Sequence, residues 1–137
     1  MYMFDTDTLS QLTRLVPSSK LVAKFTDTPA EDQFTSAINV GEMIYGACRS
    51  PRRDNLLDRF ETLLWSNLQI LPFEVRAAMT YGNIRAELEL LGMPLQDTDI
   101  RIAAVALVND LTLVTGNVRH FARIPDLRIE NWIADYA

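Results

Sequence analysis

Cysteine and histidine are almost missing from this sequence of 137 residues, where Cys48 and His120 stand alone. A single cysteine excludes an intramolecular disulfide and gives no sign of an oxidising compartment; on an apolar helix it is expected in the core. One histidine and one cysteine also exclude the paired ligand spacing of a zinc site. The start, Met-Tyr-Met-Phe-Asp, has neither a basic segment nor a signal-peptide apolar stretch, and no apolar run approaches membrane-spanning length, so a cytoplasmic protein with no membrane partner is expected. No glycine-rich phosphate loop, nucleophile elbow or Ser/His/Asp chain order is present. Repeats and low-complexity linkers are absent too, which points to one domain over residues 1–137.

Positive charge is also scarce. The net charge of −5 argues against a protein that coats nucleic acid through a broadly basic surface. It does not exclude an enzyme whose carboxylates hold metal ions, because the metal then meets the phosphate. Of thirteen basic residues eleven are arginines, suited to bidentate phosphate contacts, with groups at Arg49, Arg52 and Arg53 and at Arg119 and Arg123. Any one of them read singly is most simply a solvated helix face.

Hydrophobic residues make up 48% and charged residues 23%, an ordinary globular composition. The apolar run Tyr2–Phe4 predicts a first strand, after which Asp7 or Thr8 can cap a helix carrying Leu9, Leu12 and Leu15. A second strand is expected over Phe34–Ile38, with Asn39 opening a helix that holds Glu42, Met43, Ile44 and Ala47. An amphipathic helix follows from Arg53, then a brief strand at Ile70–Leu71 and a long helix from Glu74 to Leu91 stopped by Gly92 and Pro94. Ile102–Leu107 is apolar on nearly every face and predicts a buried helix opened by Asp99. Leu111–Val114 and Leu127–Ile129 supply the last strands. The alternation predicts an α/β sandwich with a mostly parallel sheet flanked by helices.

In such sheets, sites lie beyond the carboxyl ends of strands. Asp5 follows the first strand, Glu42 lies near the start of the helix after the second, Asp99 opens the buried helix, and Asn117 follows the fourth strand. Each acid has a structural reading as well. Glu42 stands at capping-box spacing from Asn39, Asp99 can stabilise a helix N-terminus, and Asp5 and Asp7 can be turn or cap residues. Gathered together, however, unpaired carboxylates repel and raise one another's pKa, a costly arrangement unless a cation resides there. Oxygen ligands suit Mg²⁺, which polarises a phosphoryl oxygen and activates water, so a phosphodiester substrate follows. His120 reads as a surface or phosphate-contacting side chain.

The strings MFDTDTLS, INVGEMIYGA, GMPLQDTDIRIAA and LVTGNVRHFARIPDLRIENW run in order over essentially the whole chain and resemble PIN-domain ribonuclease toxins of the VapC type. The resemblance implies a PIN-like three-layer α/β sandwich that cleaves RNA, tRNA or rRNA, using Mg²⁺ or Mn²⁺. It implies a cognate antitoxin that occupies the cleft, and a homodimer. Asp5, Glu42 and Asp99 then look like the three family acids and metal ligands. Asn117 stands where many PIN domains have a fourth acid, which leaves a second metal in question. Thr6 and Thr115 resemble the small hydroxyl residues that support such acids, and Arg119 and Arg123 are candidates for RNA contact. Asp97, where the family pattern is usually not acidic, is expected to be a helix cap.

Two rival readings come from the residues. Asp5-Thr6-Asp7-Thr8 after an apolar strand also resembles the paired-aspartate signature of haloacid-dehalogenase-like phosphatases, although Leu9 and the missing late acidic motif depart from it. A non-catalytic PIN-like or receiver-like binding module is the other, and the retention of all three acids speaks against it.

Overall fold

The computed structural model describes residues 1–133. Five short strands, β1 (Tyr2–Phe4), β2 (Gln33–Ser36), β3 (Gln69–Leu71), β4 (Thr112–Val114) and β5 (Ile129–Glu130), form one sheet in the order β3-β2-β1-β4-β5. Every neighbouring pair is parallel. The chain moves outward from β1 to β2 and β3, then returns to the other side of β1 for β4 and β5. The carboxyl ends of β1 and β4 therefore meet at the reversal of strand order, where parallel α/β sheets place their clefts.

Seven helices flank the sheet among the described residues: α1 (Thr6–Leu12), α2 (Ser19–Asp27), α3 (Ala37–Cys48), α4 (Arg53–Phe60), α5 (Val75–Leu90), α6 (Asp97–Val108) and α7 (Val118–Phe121). Helix α4 runs on into a π-helical turn, Glu61–Trp65. The strand period of two sorts side chains onto two faces. Met3 and Leu113 join a core with α5, α6 and Phe121, while Phe4 and Val114 join a second core with Leu9, Leu21, Met43, Phe60 and Trp132. The result is helix, sheet, helix, in three layers. Ile102 to Ala106 of α6 are completely buried, as their apolar continuity requires.

Several boundaries differ from the sequence reading. Helix α1 begins at Thr6 with Asp5 in the N-cap position, not at Asp7 or Thr8, and Leu15 falls beyond its end, 82% exposed. Strand β2 stops at Ser36, whose hydroxyl accepts from the Asn39 backbone N–H at 3.2 Å, so Ser36 caps α3 and Asn39 lies within it. The N-cap residue of α6 is Gln96, and Asp97 is its first helical residue. Cys48, at the last residue of α3, is exposed rather than in the core. Helix α2, capped by Ser18, has no counterpart in the sequence reading; its lysines and threonine interrupt the apolar pattern, and Leu21 is its one fully buried side chain. No helix among the described residues is long and apolar enough to cross a membrane.

Candidate active site

Asp5 leaves β1 at the centre of the sheet. Its backbone N–H donates to the Val114 carbonyl at 2.9 Å, extending the β1–β4 ladder by one residue. The carboxylate makes no cap bond to its own helix. Instead Oδ1 accepts from Asn39 Nδ2 at 3.0 Å and Oδ2 accepts from the Thr115 hydroxyl at 2.8 Å. Asp5 is only 7% exposed, and burial pushes its carboxyl up to about 6. Asp7 and Glu42 push it further in that direction, while the Thr115 hydroxyl and the Thr6 backbone N–H pull it down.

Glu42, one turn along α3 from Asn39, is half-buried, and its Oε1 accepts from the Thr6 hydroxyl at 2.7 Å. Thr6 in turn accepts from Asn39 Nδ2 at 3.0 Å. Asn39 is fully buried, and its own Oδ1 accepts from Ser36 at 2.5 Å, so α3 is tied by one amide to both the first acid and the hydroxyl that orients the second. The Asn39–Glu42 spacing thus belongs to the site and not to a capping box.

Asp99 enters from the first turn of α6. Burial and then the negative charge of Glu42 raise its pKa; His120 opposes this and Asp7 adds to it. Asp99 therefore shares one field with acids from α1 and α3. Asn117 donates its backbone N–H to Thr115 Oγ1 at 3.0 Å, and its side-chain oxygen pairs with His120 Nδ1. The β4–α7 turn is in this way linked through Thr115 to Asp5, and through His120 to the surroundings of Asp99.

Two participants escaped the sequence reading. Asn39 reads in the sequence as a cap; the signal that could have found it is Ser36, an equally good cap three residues upstream. Asp7 reads as a turn or cap residue, yet it acts electrostatically on both Asp5 and Asp99, and its Oδ2 accepts from the Gly116 N–H at 2.8 Å. Gly116 permits that approach, because a Cβ there would lie 2.8 Å from the same oxygen.

Asp97 faces elsewhere. Arg101 Nε lies 2.7 Å from its Oδ2, Arg85 Nη1 lies 3.1 Å from Oδ1, and the Tyr81 hydroxyl donates to Oδ1. These partners, Tyr81 first, hold its carboxyl below the usual range. Asp97 joins α5 to α6 and is neither cap nor ligand. Arg119 is exposed, whereas Arg123 spends one guanidinium nitrogen on the Pro94 carbonyl at 3.1 Å.

The donor atoms of Asp5, Asp7, Glu42 and Asp99 are all oxygen, and their mutual repulsion would fall on binding a hard divalent cation. Among the described residues no three acidic, histidine or cysteine side chains are arranged to hold one ion together. An all-oxygen donor set of this kind suits a hard divalent ion that keeps water in its shell, the habit of Mg²⁺, and not a closed protein cage.

Known proteins resemble this chain in sequence and fold. Residues 2–127 match the PIN domain family. Ribonuclease VapC2 of Haemophilus influenzae strain Rd is 36% identical over 132 residues, covering 96% of this chain and 98% of that protein. The tRNA(fMet)-specific endonuclease VapC of Salmonella typhimurium is 41% identical over 97 residues, 71% of this chain and 73% of that protein. In the crystal structure of DNA-bound VapBC from Salmonella typhimurium, one chain superposes with a TM-score of 0.89 at 35% identity, over 96% of this chain and 97% of that one. The chain belongs to the PIN-domain family and, within it, to the VapC ribonucleases. Its reaction class is accordingly hydrolysis of RNA as an endoribonuclease, which displaces the phosphatase and non-catalytic readings.

Proposed function

We propose that this ribonuclease is the Mg²⁺-dependent toxin of a toxin–antitoxin pair, that it cuts a structured cellular RNA, tRNA or rRNA, and that a cognate antitoxin restrains it. The observation that carries the reading is the buried Asp5 carboxylate, whose charge is disfavoured by burial and by two neighbouring acids. An enzyme retains such a charge where a cation is to be bound.

Asp5 and Asp99 would hold the ion directly, and Glu42 would reach it through water. Mn²⁺ substitutes for Mg²⁺. The bound ion supplies Lewis-acid polarisation of the phosphodiester and a lowered pKa for water. Asn39 and Thr115 fix both oxygens of Asp5, so the carboxylate does not have to reorganise when substrate arrives. Thr6 holds Glu42 in place, and Asn117 positions His120 at the mouth of the site, beside Asp99. Arg119 is available to steer the phosphate backbone.

Relatives suggest the target and partners. The Salmonella enzyme is a tRNA(fMet)-specific endonuclease, and solved neighbours include VapBC assemblies, one of them, from Rickettsia felis, bound to a promoter fragment. An antitoxin bound here would screen the carboxylates from RNA. The same proposal includes a homodimer, as the family resemblance implies. The test is incubation of purified protein with total RNA, with mapping of the new ends. Discrete cuts carrying 5′-phosphates are expected in tRNA or rRNA, and cleavage spread over all RNA would contradict the reading.

A further inference from the structure

A cavity of about 500 Å³ opens between α1, α3 and α4 and begins at the acidic site itself, since Thr6 and Glu42 form part of its wall. We propose that it is a nucleotide subsite, taking one unpaired base next to the bond that is cut; this rests on the ribonuclease reading above. Its floor is apolar, built from Met43, Ala47, Leu56 and Phe60. Nucleobases have apolar faces and polar edges, and sequence-selective RNA enzymes bind them splayed out of the helix. The rim supplies the complementary groups. Ser10 and Asn55 offer a hydroxyl and an amide to a base edge, and Arg14 and Arg52 offer positive charge to the adjoining phosphate.

Among the described residues, none of these four side chains is in a hydrogen bond or ion pair, although Arg59 on the same wall is committed to the carbonyls of Thr13 and Arg14. In a chain of net charge −5, two uncommitted arginines beside a carboxylate cluster favour a polyanion that must also reach the acids. Gly46 offers a way to fill the cavity. It lies within α3 and lines the cavity, and a Cβ there would meet nothing within 4 Å. A larger side chain at this position therefore has room to enter the cavity.

The test uses an RNA the wild-type protein cuts, remade with an abasic ribose at each position flanking the cut. One abasic position should lower kcat/KM about tenfold or more. Gly46→Leu, which fills the cavity, should lower kcat/KM on the intact RNA by a similar factor and show no further loss at that abasic position. It should bind Mn²⁺ as wild type does, in a calorimetric titration, and melt no lower. Asn55→Ala, a change at an exposed side chain, should alter base preference at that position alone. Wild-type cleavage indifferent to every abasic position, or additive losses in Gly46→Leu, would overturn the inference while leaving the ribonuclease reading intact. A Gly46→Leu protein that cuts RNA normally but no longer binds its antitoxin would assign the cavity to that partner and overturn the inference likewise. RNA left uncut by the wild type would overturn both.

Discussion

Replacing Asp5 with asparagine should make the metal-free protein more stable while removing its chemistry. Folded, the Asp5 carboxyl titrates at about 6 against 3.8 for a free side chain, chiefly through burial. Two pH units at roughly 1.4 kcal/mol each correspond to about 3 kcal/mol. Below the unfolded value both states are protonated and the cost is absent. Between 3.8 and about 6 the folded chain keeps a proton that the unfolded chain has released, so stability falls as pH rises, and above about 6 the full cost is present.

Asparagine avoids that charge but offers one acceptor oxygen where Asn39 and Thr115 present two donors. The Thr115 hydroxyl must turn to accept, at a cost of about 1 kcal/mol. The net gain is about 2 kcal/mol, a rise in Tm of roughly 6–8 °C for a chain of this size. Thermal melts in EDTA at about pH 8 should show that gap, and at about pH 4.5 the two proteins should melt together. Millimolar Mg²⁺ at the higher pH should raise the wild type alone. An Asp5→Asn protein that melts lower in EDTA at the higher pH, or that keeps its whole advantage at the lower, would refute the assignment of Asp5 as a charge held at a cost for a cation.

Asn39→Ala removes the donor to both Asp5 and Thr6 and should weaken Mn²⁺ binding by roughly 10–100-fold, measured calorimetrically. Thr6→Val frees Glu42 and should lower kcat more than it changes the melting temperature, as single-turnover cleavage beside a melt would report. Asp97→Ala breaks two half-exposed ion pairs and the hydrogen bond from Tyr81 and should cost about 1–2 kcal/mol, with RNA cleavage unchanged. Arg119→Glu should raise KM for RNA, more steeply at low salt, without altering Mn²⁺ affinity.

The sequence reading reached the sheet order's consequence, acids at strand ends, because buried parallel strands and an all-apolar α6 leave short, unambiguous runs. It faltered where side-chain choice depends on tertiary partners. Asn39 can cap a helix as readily as Ser36 can, and only the fold shows that its amide is drawn to Asp5, 34 positions away. Asp97 and Asp99 are equivalent in local pattern, and the arginines of α5 and α6 decide which of them turns outward. Asp7 looks like a cap until β4 brings Gly116 against it. Leu15 completes a helical stripe on paper, but the helix ends at Leu12.

The central claim, that the carboxylates serve RNA hydrolysis through a divalent ion, is tested most directly by cleavage of total RNA by chelator-treated protein as Mg²⁺ is restored. The account predicts no cleavage in EDTA, saturable recovery with Mg²⁺, and no recovery in Asp5→Asn at any concentration. Cleavage that persists in EDTA at the Mg²⁺-restored rate, or an Asp5→Asn protein that recovers with the wild type, would contradict it.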